Sequence, residues 1–335
     1  MPTLQDVARH AGVSTATVSK VLSNTPYFTE ETRQKVMDAV TVLGYRPNLL
    51  ARALSSGRTH TIAVAFPYVY DAIFKDPLVM QILEGIEAVC TQNDYNILLS
   101  TPHLTADGPD DQHQRMIQSG FIDGLIAIDN IRLSSVTEYA QQNNVPAVTL
   151  GYHPGTHHVY SDDLSGAQAL MSHVLGLGHR RIAVLTIAPG NFAIEERERG
   201  LRLAAAACGV HDYPVALGDF STESGYRVAR DLHAAHPDLT AIICLNDRMA
   251  IGAMHYCRQA GLRVPQDISV VGYDNIAMSN VISPTLTTID QKAGEMGETA
   301  ARVMVDVLAG STNLPSSVVI QPELVVRDSS GAPPA

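Results

Sequence analysis

The sequence predicts an N-terminal all-α helix-turn-helix head with a hinge helix, followed by an α/β core of two doubly wound parallel-sheet lobes. Three observations point to it. The first sixty residues of the 335 carry short helical patterns punctuated by Gly12 and Gly44. From residue 61 onward, short apolar runs alternate with longer helical patterns. The charge is also split: residues 1–58 hold seven Lys/Arg against four Asp/Glu, net +3, which leaves −14 for the rest of a chain at −11. A small basic head on an acidic body places contact with a polyanion on the head alone.

In the head, Leu4, Val7, Ala8 and Ala11 recur at helical spacing and form one buried face. Gly12 ends this helix, because glycine tolerates the left-handed backbone of a tight turn. Ser14 is a good N-cap for a second helix with Val18, Val21 and Leu22 inward. Its outer face is then Thr15, Ala16, Ser19, Lys20 and Ser23. Thr29 caps a third helix, Glu30 and Glu31 suit its positive N-terminus, and Gly44 stops it. Val36, Ala39, Val40 and Leu43 line its apolar side. Two short helices on a glycine turn are the geometry that brings the front of the second into a DNA major groove. Small side chains at Thr15 and Ala16 keep that front slim, Lys20 can reach a guanine edge, and the hydroxyls can bond phosphate or base. Spacing alone leaves open an ordinary three-helix domain with a polar outer face.

Residues 46–60 read RPNLLARALSSGRTH. Asn48 can cap a helix with Leu50, Ala51 and Leu54 along one side. About eight residues are too few for a stable helix in water, so this hinge is expected to fold only when held. Beyond it, candidate strands are 61–66, 96–100, 122–128, 145–150, 181–186, 240–245 and 268–273, with helical stretches such as 78–93, 164–177 and 223–235 between them. Repeated βα units imply parallel sheets covered on both faces, and two units of about 100 residues fit better than one large sheet. Residues 159–167 (VYSDDLSGA) are a plausible crossing between lobes and 287–291 a plausible return. Ligands of such sheets bind at the carboxyl ends of the strands, here the cleft between lobes.

Composition excludes several classes. With 45% hydrophobic and 17% charged residues, a folded core is expected rather than disorder. No apolar run reaches the ~18 residues that span a bilayer, and no signal pattern opens the chain, so a cytoplasmic protein without membrane contact is expected. Cys90, Cys208 and Cys244 sit in apolar runs and read as buried, reduced thiols. His153, His157 and His158 cluster in YHPGTHH, but Pro154 and Gly155 mark a solvated loop rather than a metal site. Phosphate-loop, dinucleotide-binding, nucleophile-elbow and zinc-protease motifs are missing, so neither enzyme activity nor a cofactor is expected.

The stretch TLQDVARHAGVSTATVSKVLSN, continued by LGYRPN and ARAL, resembles the N-terminal signature of the LacI/GalR family of bacterial transcription regulators. The body resembles the same family's periplasmic-binding-protein-like core through DDLSGA, LGHRRIAVLT, ERERG, GDFSTESGY, CLNDRMAIGAM, VPQDISVVGYDN and TTIDQ. The resemblance implies a homodimer that reads a pseudo-palindromic operator and answers to a small-molecule effector. It implies DNA contacts from Thr3, Leu4, Ser14, Thr15, Ala16, Thr17, Ser19, Lys20 and Asn24, and a hinge whose Leu54 wedges into the minor groove. Most members carry Arg where this chain has Lys20, so a point-charge donor replaces a bidentate fork.

Carried over by position, the effector contacts would be Asp162, Arg197, Phe220, Asn246, Asp274 and Gln291. Each has an ordinary alternative. Arg197 could hold two ligand oxygens or be a surface residue in an acidic run. Asn246 and Asp274 follow strands and could face a cleft, or Asn246 could simply cap a helix. Phe220 could stack on a ring or pack between lobes, Asp162 could fix a hydroxyl or turn the chain, and Gln291 could bond ligand or the opposite lobe. Such a mixture suits a sugar, with a nucleobase as the second choice. The expected boundaries are a head over 1–46, a hinge over 47–60, one lobe from 61–161 plus 291–318, the other from 162–290 plus 319–328, and a disordered tail over 329–335.

Overall fold

The computed structural model describes residues 2–22, 27–45, 57–66, 73–101, 104–105, 108–109, 111–130 and 136–334. Asn24, Leu54 and most of the hinge therefore lie outside the described residues. The chain divides into two compact units, residues 1–60 and 61–335.

The head is three helices, α1 (Leu4–Ala11), α2 (Thr15–Leu22) and α3 (Glu30–Leu43). Thr3 and Asp6 form a reciprocal capping box at the start of α1, an arrangement worth about 1 kcal/mol. Gly12 closes the helix at φ 67°. Ser14 Oγ accepts from the Thr17 N–H at 3.1 Å, Thr29 Oγ1 accepts from Thr32, and Gly44 ends α3, all as the local signals require. Val7, Ala8, Val18, Val21, Val36 and Ala39 make the core.

In the larger unit, one lobe is a six-stranded parallel sheet in the order β2-β1-β3-β4-β5-β11. Its strands are β1 (Thr61–Ala65), β2 (Asn96–Ser100), β3 (Gly124–Ile128), β4 (Ala147–Leu150), β5 (His157–Ser161) and β11 (Ser317–Ile320). The helices α4 (Pro77–Gln92), α5 (Gln112–Gln118), α6 (Val136–Gln142) and α11 (Ala293–Leu308) belong to this lobe. Strand β3, GLIAI, is buried along its whole length because both faces are covered.

The other lobe is a four-stranded parallel sheet in the order β7-β6-β8-β9, from Val215–Gly218, Ile182–Ile187, Ala241–Cys244 and Ser269–Val271. Its helices are α7 (Asp163–Gly176), α8 (Phe192–Ala207), α9 (Thr222–Ala235) and α10 (Asp247–Gln259). An antiparallel ribbon of β10 (Thr288–Asp290) and β12 (Glu323–Val325) flanks the crossings.

Several expectations are corrected. Residues 159–161, read as part of a crossing, complete strand β5, and the chain changes lobes at Asp162. Strand β11 runs to Ile320, so the first lobe extends past residue 318. Residues 329–331 are no disordered tail: Ser329 is fully buried, its N–H donates to Thr285 O, and His179 Nε2 donates to Gly331 O at 2.8 Å. His157 and His158 lie on β5, and His158 is buried, so YHPGTHH is only partly a loop. Cys208 is exposed where the Ala-rich helix α8 ends, whereas Cys90, Cys244 and Cys257 are buried, and all four are free thiols.

Each lobe's helix pairs cross on glycine. A Cβ on Gly85 would run into the backbone of Gly294 and Glu298 where α4 meets α11, and one on Gly200 into Leu164 O where α7 meets α8. Gly225 and Gly252 hold α9 against α10 in the same way. Gly85→Ala is therefore expected to destabilise its lobe by about 1–3 kcal/mol through overpacking. Gly176→Ala, with nothing within 4 Å of the new methyl, should cost nothing. Urea unfolding followed by circular dichroism separates the two; equal midpoints would show that the helix crossing relaxes freely.

Candidate functional site

The carboxyl ends of both sheets converge on one cleft. Asn130 follows β3, Ser161 ends β5, Asn246 follows β8 and Asp274 follows β9, and all four border a cavity of ≈ 110 Å³. A wider groove of ≈ 800 Å³ runs beside α10 at residues 251–266, but the buried charges gather in the cleft.

Its centre is Arg197, one turn into α8, which is capped by Asn191. The guanidinium is 5% exposed. Nε donates to Asp163 Oδ1 at 2.7 Å, and Nη1 donates to Leu245 O at 2.7 Å and to Asp274 Oδ1 at 3.4 Å. The Tyr273 ring lies 3.7 Å from the guanidinium carbon. Nη2 is the one guanidinium nitrogen with no protein acceptor among the described residues. Asp274 accepts from Gln291 Nε2 through Oδ1 at 2.7 Å, which likewise leaves Oδ2 without a described protein donor. Ser161 Oγ is buried beside the cavity with no protein partner. Polar atoms buried without partners are costly unless a ligand or water meets them.

Electrostatics follow from burial. Desolvation pushes the Asp163 carboxyl up, with Arg197 opposing. It pushes Asp274 well above the usual carboxylate range, again against Arg197, while Asp247, Asp76 and Asp163 reinforce the rise. Burial on its own would lower Arg197, but Asp163, Tyr273 and Asp274 outweigh it and the guanidinium is held more firmly charged. Removing Arg197 would strand Asp163 as a buried, uncompensated charge, a loss of about 3–5 kcal/mol.

The first lobe adds an apolar stretch of Leu78, Val79, Ile82, Ile128 and Leu150, besides Asp76, Asn130, Tyr160 and Ser161. Four contacts bridge the lobes around the cavity. Arg248 Nη1 donates to Asp76 Oδ2 at 3.3 Å, the Phe192 N–H donates to Asn130 O at 2.7 Å, and Gln81 Nε2 donates to Asn275 O at 3.4 Å. Tyr152 stacks on Phe192 with centroids 4.6 Å apart.

Of the six residues expected at the cleft, Arg197, Phe220, Asn246, Asp274 and Gln291 border the cavity. Asp162 does not: it caps α7, and both its oxygens accept from Ser165. Its neighbour Asp163 takes the place at the cavity. Arg197 is no surface residue, and Asn246 does act as a cap, accepting from the Met249 N–H through Oδ1 and donating to Phe220 O through Nδ2. Sequence reading missed Asn130, Asn191, Ser161 and Asp163. Asn130 carried a usable signal, since it stands two residues beyond a recognised strand. In the head, Thr15, Ala16, Ser19 and Lys20 are exposed on α2, while Leu4 packs against the head core. Ser14 and Thr17 hydrogen-bond each other through their hydroxyls at 2.9 Å. Among the described residues no cluster of His, Cys, Asp or Glu is arranged to hold a metal ion, and no helix is long and apolar enough to cross a membrane.

A two-lobed cleft of buried charge behind a helix-turn-helix head defines a ligand-responsive transcription regulator. Residues 3–48 match the family of bacterial regulatory proteins named for lacI, and residues 171–330 match a periplasmic binding protein-like domain. The HTH-type transcriptional repressor PurR of Vibrio cholerae serotype O1 (strain M66-2) is 31% identical over 98% of both chains. The structure of a transcriptional regulator CelR–cellobiose complex matches at 30% identity with a TM-score of 0.73, covering 98% of this chain and 100% of that one. The lac repressor dimer bound to operator and the anti-inducer ONPF matches at 27% identity with a TM-score of 0.86, covering 99% of each chain. The chain belongs to the LacI family of transcription regulators, and its relatives are regulators rather than enzymes.

The raised Asp274 carboxyl has a consequence for stability. Folding favours its protonated form, so stability is lost as pH climbs from about 3.9, the ordinary Asp value, through the elevated folded value. Asp274→Asn removes this penalty. The variant's melting temperature, relative to wild type, should rise between pH 4.5 and 8 in calorimetric scans; a constant difference across that range would show that Asp274 stays ionised in the fold.

Proposed function

We propose that this protein is a cytoplasmic, dimeric, operator-binding repressor whose effector is a small polyhydroxylated molecule, a sugar or close derivative. The observation that carries the effector reading is a set of three polar residues that border the cavity. Arg197 Nη2 offers two N–H donors, Asp274 Oδ2 accepts when ionised and donates when protonated, and Ser161 Oγ offers either role. Adjacent hydroxyls of a sugar both donate and accept, and a donor beside an acceptor matches two neighbouring ring oxygens. The apolar stretch and Phe220 suit the C–H face of a ring. The relative solved with cellobiose supports the same class.

A nucleobase is the second reading, favoured by the aromatic Phe220 and Tyr160 at the cavity. Asn246 caps its helix and holds Phe220 O, and Gln291 Nε2 holds Asp274, so edge pairing of a base would fall to Asn130 and Asn191 and to the Arg197 and Asp274 groups that the sugar reading already uses.

On the DNA side, the exposed face of α2 with Thr15, Ala16, Ser19 and Lys20 would read base edges. Thr3, Ser14, Thr17 and Asn24 would position the head on phosphate, and Leu4 would set its angle from the core. Leu54 would wedge the minor groove from the hinge. Effector binding across the lobes would shift operator affinity by its different affinity for the open and closed arrangements.

Calorimetric titration against cellobiose, single sugars and purine bases tests the effector. Saturable binding of a sugar is expected, weakened at least tenfold in Asp274→Asn; saturation by a base with no sugar bound would overturn the reading. For DNA, deleting residues 1–60 should abolish binding to a selected operator while leaving a folded, sugar-binding core. Affinity of the full chain should fall steeply with salt.

A further inference from the structure

Asp274 stands in a backbone conformation that has to be enforced. Its φ is 118° and that of Asn275 is 55°, two consecutive non-glycine residues in the left-handed half of the map. Such strain costs roughly 1–3 kcal/mol per residue and persists only where surroundings over-determine it. Three groups outside the cavity do so. The Asp247 carboxylate accepts from the Ile276 N–H at 2.9 Å and from Thr288 Oγ1 at 2.6 Å. Thr288 Oγ1 accepts from the Asn275 N–H at 3.4 Å. Arg327, far along the chain, donates from Nη2 to Asn275 Oδ1 at 2.6 Å.

The second arm of the Arg327 fork leads elsewhere. Nη1 donates to Ser279 Oγ at 2.9 Å and to Leu286 O at 2.8 Å. Ser279 is fully buried, but it sits in a short 3-10 turn, Ala277–Asn280, that presents Met278 and then Val281 outward at 51% and 74% exposure. The backbone of Arg327 is itself tied down, its N–H donating to Thr287 Oγ1 at 2.9 Å. Ser279 Oγ also donates to Asn275 Oδ1 at 3.4 Å, so one planar side chain reinforces a direct link between the strained turn and the 277–281 segment by holding both. The carbonyl of that same Asn275 receives Gln81 from the opposite lobe. Effector contact at Asp274 and lobe closure at Asn275 therefore meet on one turn.

From this we infer that Arg327 is a positioning residue for the effector response: it locks the Asp274–Asn275 turn and stiffens its link to the exposed 277–281 segment, so that a change at the cleft is carried to that surface. This rests on the effector reading of Asp274 for its meaning, but not for its test. Neither Arg327 nor Asn275 borders the cavity, so changing them removes no side chain that lines it. A lysine at 327 keeps the charge but lacks the planar fork that reaches Asn275, Ser279 and Leu286 together.

Hydrogen–deuterium exchange on the full-length protein decides the matter. In Arg327→Met, amides of residues 275–282 should exchange at least tenfold faster, while those of β6 and β8 in the same lobe stay unchanged. Arg327→Lys should behave like Arg327→Met, and Asn275→Asp, which keeps the acceptor, should behave like wild type. Asn275→Gly, which keeps the backbone freedom and loses the acceptor, should match Arg327→Met, and the double variant should be no worse than either single one, the signature of one shared interaction. Wild-type exchange in Arg327→Lys, or uniform acceleration across the lobe in every variant, overturns the proposal by reducing Arg327 to packing or to global stability. A second arm adds cellobiose at saturation: wild type should gain protection over 275–282, and Arg327→Met should bind without gaining it. If calorimetry shows that cellobiose does not bind wild type, that failure falls on cellobiose as effector, and the ligand-free comparison still decides the role of Arg327.

Discussion

The cleft is organised around a charge that water cannot reach. Burying a guanidinium costs several kcal/mol unless its partners are close and well aimed. Arg197 meets that condition with a carboxylate from α7, a carbonyl from the end of β8, a carboxylate from the end of β9 and the face of Tyr273. These partners come from three separate stretches of one lobe, so the position of each depends on the others. The arrangement leaves one nitrogen of Arg197 and one oxygen of Asp274 without a partner among the described residues, on two side chains that border the cavity. A rigid donor beside a rigid acceptor is what orients a small ligand with little loss of side-chain entropy.

The lobes contribute different chemistry. One provides the buried charges, the other an apolar stretch from α4, β3 and β4 with Asn130, Tyr160 and Ser161 at its polar edge. A ligand with hydroxyls on one side and carbon on the other satisfies both at once, and it can do so only when the lobes are together. Among the described residues the direct bridges between them include one ion pair at 3.3 Å, one stacked aromatic pair and two backbone-directed hydrogen bonds. A typical intramolecular hydrogen bond contributes only about 0.5–1.5 kcal/mol. Occupancy of the cleft can therefore outweigh them, as a switch based on shifted populations requires.

Strain at Asp274 belongs to the same logic. A carboxylate placed by a backbone of ordinary conformation would not need Asp247, Thr288 and Arg327 behind it. Asp247, buried without a cation in hydrogen-bond contact, is pushed up to about 7 by desolvation even though Thr288 and the Ile276 N–H stabilise its charge. Acidic groups thus accumulate behind the site at a cost the fold sustains elsewhere, through apolar helices seated on glycine contacts.

What the chain determined by itself was local. Caps at Thr3, Ser14 and Thr29 and stops at Gly12 and Gly44 act within a few residues, so the head was legible from the order of its side chains. Six of the seven strands recognised in advance are apolar runs because strands covered on both faces must be; the seventh, β2, is apolar yet leaves Leu98 and Leu99 exposed at the sheet edge. Strands β5, β7, β10, β11 and β12 escaped recognition: each is five residues or fewer, β7 and β11 are half-exposed at sheet edges, and β5 and β10 carry polar residues. The cleft was legible as a set of strand ends and family positions, not as an arrangement. Whether Asp162 or Asp163 faces Arg197 is a matter of helix phase: the cap residue turns to its own helix amides, and the next one reaches across. The acids that pair with Arg197 lie 34 and 77 residues away in the chain, and Arg327 lies 52 residues from the Asn275 it holds. Contacts at those separations leave no local pattern in a sequence; only the packing of two sheets and their crossings decides which charges are buried together.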